Sequence, residues 1–416
     1  MALPTTVDVV IVGAGAAGLG AARAARNRGM TVVVCEAMDR IGGRAFTDPS
    51  LFGYPWDRGC HWLHSADHNP FTSIADGYAM RYLSEPIPWL IQDQGIRGGP
   101  EVAAAAATYR HDSSEATLGE GRRGVDRPMS ELLDPAHPYY WTFRAAINAE
   151  WGKDPSETST LDAARYRDTG QNWPVADGYG ALVARHAANI PVELGTTVRR
   201  IAWGGSGVRV TTNHGTIAAQ VAIITVSTNV LAAEAITFDP ILPPWKVAAA
   251  HDLPLGAANK VAFAIDGRHL GVESHTNCLV RFGADQAMSF QLRPFGWDLA
   301  NGYLSGPLCS ELERAGEAAL LDAGRQALRT IYGSDIDRQI AASACSMWER
   351  EPTILGAYAA ARPGRANARA DLALPLADRL FFAGEATSLD FFSTCHGAHL
   401  SGIAAVDAAA QAVKPV

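Results

Sequence analysis

"VDVVIVGAGAAGLGAARAARNRGMTVVVCEA", residues 7–37, carries three elements in a fixed order. Val7 to Val12, broken only by Asp8, is a β-branched run of the kind used by a parallel strand covered on both faces. Gly13, Gly15 and Gly18 then open an alanine-rich helix that runs to about Arg28 and is stopped by Gly29. Thr31 to Cys35 is a second strand, with Glu36 at its end. In such a unit Gly13 allows the tight turn and Gly15 lets backbone amides approach a pyrophosphate. Gly18 lets the helix lie against the strand, and the helix N-terminus favours the anion. Glu36 is placed to accept from ribose hydroxyls, a role an anion would not play toward a 2′-phosphate. The glycine spacing alone is weak evidence; strand, glycines, helix, strand and acid together are strong. They predict a dinucleotide, with NAD and FAD both open at this point.

The next segment, "MDRIGGRAFT" (38–47), adds a second glycine pair, Gly42 and Gly43, followed by Arg44. That suits a longer ligand passing over the first turn, its phosphates clamped by a guanidinium. The stretch "LFFAGEATSLDFFSTCHGAHLSG" (380–402) has the same grammar: a short apolar strand, Gly384, the carboxylate Glu385, then a small-residue helix from about Cys395. We expect strand 380–383 in the nucleotide-binding sheet, the helix N-terminus aimed at the other end of the same ligand, and Glu385 accepting from ribityl hydroxyls or reaching the diphosphate. A ligand held by both segments must be long, which selects FAD over NAD. No second GxGxxG is present to hold NAD(P)H.

At 416 residues the chain is too long for one core and suits two domains. The formal charge of −8 and the lack of any basic run exclude a nucleic-acid partner. Cysteines 35, 60, 278, 309, 345 and 395 show no CxxC spacing, so neither a disulfide framework nor a zinc site is expected, and a cytoplasmic location is the default. "MALPTTVDVVIVGAG" lacks a basic leader and a cleavage site, and its apolar run is too short to span a membrane. His61 and His64 have a metal-like spacing, but no third ligand stands out, and no metal is predicted.

Elsewhere, helices are expected at 101–110, 138–152 and 178–190, and one amphipathic helix from about Glu311 to Tyr332. Residues 192–226 read as three or four strands in a β-meander. Prolines at 240, 243, 244 and 254 mark passage to another domain. The fold class is therefore mixed α/β, with a discontinuous Rossmann-type FAD domain (1–75, 176–244, 368–416) and a substrate domain of sheet plus flanking helices (76–175, 245–367).

Six blocks in order resemble the flavin-containing amine oxidases, the monoamine oxidase and polyamine oxidase group. They are "IVGAGAAGLGAARAA…VCEA…GGRAFT", "DRGCHWLHSADHNP" (57–70), "GTTVRRI" (195–201), "LPLGAANKVAFAI" (253–265), "WEREPTILGAYAAARPG" (348–364) and "LFFAGEATS…STCHGAHLSGIAA". The resemblance implies a glutathione-reductase-like FAD domain. It also implies oxidation of a small-molecule amine, a polyamine or related primary or secondary amine, to an imine, with O2 reduced to hydrogen peroxide by a monomer or homodimer. FAD contacts are implied for Gly13, Gly15, Ala16, Ala17, Gly18, Glu36, Ala37, Gly42, Gly43, Arg44, Gly59, Cys60, His61, Trp62, Val198, Trp348, Gly384, Glu385, Thr394 and Cys395. Lys260 matches a lysine that holds a water near the flavin, Trp348 and Tyr358 match aromatics beside the ring, and His64 matches a substrate-facing histidine. His396 and His399 fall in the last helix, His396 nearer the cofactor.

Three departures matter. Ala357 stands where monoamine oxidases carry the flavin-bonded cysteine, so FAD is expected to be non-covalent. Thr394 replaces a cage tyrosine, for which Phe391 or Phe392 is a substitute, and Met38 replaces an arginine. Asp57, Glu85, Glu150 and Asp298 are candidates for cation contacts. Two other readings stay open: a flavin desaturase or isomerase of the phytoene desaturase or protoporphyrinogen oxidase type, and a non-catalytic flavin-binding protein.

Overall fold

A computed structural model describes residues 5–412. The strand Thr6–Val12, the helix Ala16–Asn27 and the strand Val32–Cys35 form the expected unit, with Val9, Val10 and Ile11 fully buried. Thr6–Val12 is parallel to both Val32–Cys35 and Gly215–Ile224. The eight-stranded sheet around it runs Thr237–Asp239, Val198–Ala202, Val208–Thr212, Gly215–Ile224, Thr6–Val12, Val32–Cys35, Val192–Glu193. Its eighth strand, Leu380–Phe382, lies parallel to the end of Gly215–Ile224. That long strand changes character along its length. Its first half is antiparallel to Val208–Thr212; its second half sits between parallel neighbours and is buried on both faces, which is why "AII" there carries no polar residue.

The meander comprises only the three strands from Val198 to Ile224, because Val192–Glu193 leaves it and pairs with Val34 and Cys35 at the opposite edge. The helix Cys395–Ala409 packs on Ala16–Asn27 with close approach at two glycines. A Cβ on Gly402 would stand 2.0 Å from the Ala17 carbonyl oxygen, and one on Gly20 2.7 Å from that of His399.

The second sheet has seven strands in the order Ile340–Cys345, Ala258–Ile265, Leu299–Ser305, Ala287–Leu292, Thr276–Arg281, Trp89–Asp93, Ile96–Arg97. All its pairs are antiparallel except Trp89–Asp93 with Thr276–Arg281. Phe263, Leu320 and Leu328 belong to the core beneath its covering helix, where Gly324 meets the Phe263 ring. The expected helix from Glu311 to Tyr332 is in fact two, Gly306–Ala315 and Glu317–Tyr332, because Gly316 adopts φ +115° and turns the chain. The helix expected at 101–110 extends over Pro100–Arg122, and the other two form Tyr140–Trp151 and Tyr179–His186. Among the described residues no helix is long and apolar enough to cross a membrane.

Candidate active site

A cavity of about 770 Å³ is lined from both sheets, within the range of ligand and cofactor sites. At one end its wall is mostly backbone. Gly13, Gly15, Ala16, Ala17, Ala37, Gly42 and Gly43 line it, and a Cβ on Gly15 would point into open space. Gly42 donates its N–H to the Ala14 carbonyl at 2.8 Å, laying the second glycine pair across the first turn. Of the residues for which the resemblance implies FAD contacts, Gly18 alone does not reach the cavity. It lies behind the wall, where a Cβ would stand 1.9 Å from the Gly13 oxygen, so its absent side chain is what brings helix and strand together.

Glu36 is buried at the end of Val32–Cys35 and accepts from the N–H of Ala14 at 2.6 Å and of Met38 at 2.9 Å. Burial raises its pKa, and those peptide donors oppose the rise. Val198 lines the same end, with Thr196, Thr197 and Met38.

In the middle, Arg44 donates from one terminal nitrogen to the Ala357 carbonyl and to Glu385 at 3.0 Å. Glu385 also accepts from the N–H groups of Ala359 and Ser393, each at 3.1 Å. Glu385 lines the cavity, as expected of a residue that meets the ligand, and three of a carboxylate's roughly four acceptor positions are taken by the protein. Its oxygens are largely committed to the protein, and it works as a bracket joining Arg44, the Tyr358 loop and the approach to the last helix.

The other end is built of side chains. Lys260, carried by Ala258–Ile265, is buried and donates to the Asp57 carbonyl at 2.7 Å, with its ammonium 5.4 Å from the Tyr303 ring centroid. Desolvation pulls its pKa down to about 8, against the opposing pull of Asp57 and Cys60. The Asp57 carboxylate accepts from the N–H groups of Tyr179 and Gly180, at 2.9 and 3.1 Å, and faces His61 Nδ1 at 3.1 Å. Asp57 therefore fixes Lys260, His61 and a helix N-terminus at once. His61 is also 3.2 Å from Gln291, and burial lowers its pKa.

Trp348 donates its indole N–H to the Arg58 carbonyl at 3.2 Å, while its backbone N–H is held by Asn259 at 3.1 Å. Tyr358 donates to the Ala149 carbonyl and its pKa is raised by burial. Gly59, Cys60, Trp62, Gly384, Thr394 and Cys395 also line the cavity. His64 lines it too, with Nδ1 2.8 Å from Asn172.

Among the four acidic candidates, Glu150 opens on the cavity with its side chain exposed there, and desolvation, reinforced by Asp168, pushes its pKa up to about 7. Asp57 stands behind the wall. Glu85 and Asp298 are exposed and line no part of the cavity, so the sequence reading is corrected there. Phe391 and Phe392 do not line it either. Phe392 is fully buried under the Arg369 guanidinium, 3.7 Å from its centroid, and against Trp151, so neither phenylalanine supplies a second cage wall. His396 and His399 are buried in the last helix away from the cavity.

The structure adds lining residues that sequence reasoning missed, chief among them Thr225, Trp151, Tyr166, Asp168, Asn172 and Tyr303. Only Thr225, at the end of an apolar strand beside the first glycine turn, had a positional signal.

The family model described as flavin containing amine oxidoreductase matches residues 96–410, and that of an NAD(P)-binding Rossmann-like domain matches 11–77. "Polyamine oxidase 4" of Oryza sativa subsp. japonica is 28% identical, aligned over 96% of this chain and 88% of that protein. "Lysine-specific histone demethylase 1B" of Mus musculus is 28% identical over 95% of this chain, which spans 52% of it. In fold the chain is similar to a solved putrescine oxidase variant, with TM-score 0.82, 20% identity, and coverage of 98% of this chain and 100% of that one.

Proposed function

The chain belongs to the flavin containing amine oxidoreductases, and from that premise we propose that it is an FAD-dependent amine oxidase acting on a polyamine or a related primary or secondary amine. The observation that carries the proposal is a single cavity with a glycine-lined, Glu36-bearing end and an opposite end walled by Lys260, Trp348 and Tyr358. Its volume, the space left in front of Gly15 and the acceptor at Glu36 fit a long dinucleotide. In this reading Gly13, Gly15, Gly42, Gly43 and the N-terminus of Ala16–Asn27 hold the diphosphate, while Glu36 and Val198 hold the adenosine. Arg44 braces the middle, and Thr394 and Cys395 meet the far end of the ring. Segments 1–75, 176–244 and 368–416 form the FAD domain, and 76–175 with 245–367 the substrate domain.

Bound there, FAD supplies the acceptor for a hydride from the carbon beside the amine nitrogen and passes the electrons to O2, giving hydrogen peroxide. The protein's own contribution is the setting. Trp348, Tyr358, Trp151 and Tyr166 exclude water and disfavour an ammonium ion, so the reacting nitrogen is held neutral. Lys260, anchored on Asp57, places a polarised amine beside the ring end, and His64, fixed by Asn172, faces the substrate. Ala357 offers no thiol, so FAD is bound without a covalent link.

Anaerobic mixing with spermidine, spermine, putrescine, tyramine and L-amino acids tests the proposal. Loss of the flavin absorbance with one of them, followed by peroxide release in air, is expected. Acid precipitation should release the yellow chromophore into the supernatant. A purified protein that is colourless and takes up no added FAD overturns the reading.

A further inference from the structure

Lys260 and Trp348, which wall one end of the cavity, are joined behind that wall by a chain of buried side chains that leads to Glu313. The pairing of Ala258–Ile265 with Ile340–Cys345 continues for one residue past its end. Lys260 accepts from the Ser346 N–H at 3.0 Å and gives its own N–H to the Ser346 hydroxyl at 2.9 Å. The chain then leaves the sheet, and the Asn259 side chain takes over. Its Oδ1 accepts from the Ser346 hydroxyl and from the Trp348 N–H, each at 3.1 Å. A peptide N–H can only donate, so the Trp348 contact fixes which way the Asn259 amide points. Nδ2 therefore faces the helix Gly306–Ala315, where it donates to Glu313 Oε2 at 2.5 Å and lies 3.3 Å from the Cys309 sulfur.

Glu313 is 1% exposed, and its other oxygen accepts from the Arg350 N–H at 2.9 Å. Burial raises its pKa, the donors from Asn259 and Arg350 oppose the rise, and Glu349 adds to it. A carboxylate in such a place is costly, and core packing alone does not call for one. What it gains is geometric: one oxygen holds the Lys260 strand through Asn259, and the other holds the backbone two residues beyond Trp348.

We propose that Glu313 is a positioning residue: through Asn259 it keeps the Lys260 strand and the Trp348–Arg350 turn in one register, so that the Lys260 ammonium and the Trp348 indole meet a bound ligand from fixed points. Glu313 itself does not line the cavity, whereas Asn259 does. That these fixed points serve a reaction on an amine rests on the oxidase reading above; the hydrogen-bond chain does not.

Two variants of the FAD-loaded protein test this. Glu313→Gln replaces one acceptor oxygen by an amide that can only donate, so either Asn259 Nδ2 or the Arg350 N–H meets another donor. The double variant Asn259→Asp with Glu313→Gln exchanges amide and carboxylate. The new carboxylate accepts from Ser346, Trp348 and the new amide, whose oxygen accepts from Arg350, so every donor regains its acceptor. We expect Glu313→Gln to keep its FAD through gel filtration but to bleach about ten- to a hundredfold more slowly than the wild type at saturating amine. The visible circular dichroism of its flavin should change, and amide exchange over 346–350 should quicken. The double variant should recover all three. A folded Glu313→Gln protein that bleaches at the wild-type rate overturns the proposal, whatever its urea midpoint, and so does a double variant no faster than the single one. If Glu313→Gln does not fold, the double variant decides alone: wild-type dichroism and exchange uphold the proposal, and their loss overturns it. A wild type that no amine bleaches sinks the oxidase reading, while the exchange over 346–350 still decides the role of Glu313.

Discussion

At the Glu36 end of the cavity the surface is largely backbone, drawn mostly from residues 12–45 with Thr196, Thr197, Val198 and Thr225 beside them. At the Lys260 end the surface is side chains from segments far apart in sequence: Cys60 to His64, Trp151 to Asn172, Lys260, Tyr303, Trp348, Tyr358 and Thr394. Binding a dinucleotide needs peptide dipoles at close range, which one strand–turn–helix unit supplies by itself. Aligning a substrate with a reactive ring needs groups converging from several directions, which only the assembled tertiary fold provides. The first end is therefore sensitive to a single methyl group, and the second to the identity of single functional groups.

The largest effect should come from confusing the two kinds of glycine at the backbone end. Gly18→Ala forces a methyl against the Gly13 carbonyl and should cost about 3 kcal/mol or more in urea unfolding. Gly15→Ala meets no protein atom within 4 Å, so it should unfold like the wild type while retaining less FAD. Equal unfolding curves for both variants would erase the distinction between wall and cavity.

Next is the side-chain end. Lys260→Met should slow flavin bleaching or reoxidation by about a hundredfold in stopped flow, while the protein stays yellow. Unchanged rates would remove Lys260 from the chemistry.

Glu36→Ala should do the reverse, leaving rates at saturating FAD nearly intact and weakening FAD retention by about ten- to a hundredfold. That range corresponds to one charged hydrogen-bonding partner at roughly 1.5–3 kcal/mol, read by fluorescence titration. Full occupancy after gel filtration would count against the ribose role.

The smallest effect concerns Glu150. Its carboxyl is raised from 4.5 to about 7 in the fold, so the folded state holds a proton that the unfolded chain has lost between those values, and stability falls as pH rises across that window. Glu150→Gln removes this penalty. Its melting temperature should match the wild type at pH 4, exceed it progressively toward pH 7, and keep a constant lead above. A lead that does not vary with pH would place the ionisation of Glu150 outside the folding equilibrium.

The same contrast explains what could be read from the sequence. The nucleotide unit was legible because its parts are adjacent and each residue type has one local job, Gly18 included. Leu380–Phe382 and Cys395–Ala409 were legible because strand, glycine and helix repeat that pattern. Lys260, Trp348 and Tyr358 carry no local signal and were reached only through resemblance. Asp168, Asn172 and Tyr303 were missed because neither periodicity nor motif marks a residue whose neighbours come from other segments. Phe391 and Phe392 were misplaced because aromaticity does not say which side of a loop faces the cavity, and here Arg369 and Trp151 claim Phe392. The break at Gly316 was missed because the amphipathic pattern runs on through it.

The contact of Gly20 and Gly402 with the backbone of the opposing helix has a consequence for biosynthesis. Ala16–Asn27 is made long before Cys395–Ala409, the partner that completes its packing. Until that partner is made, one flank of the first helix stays bare. A nascent chain that stops short of Cys395 lacks the surface that covers this flank.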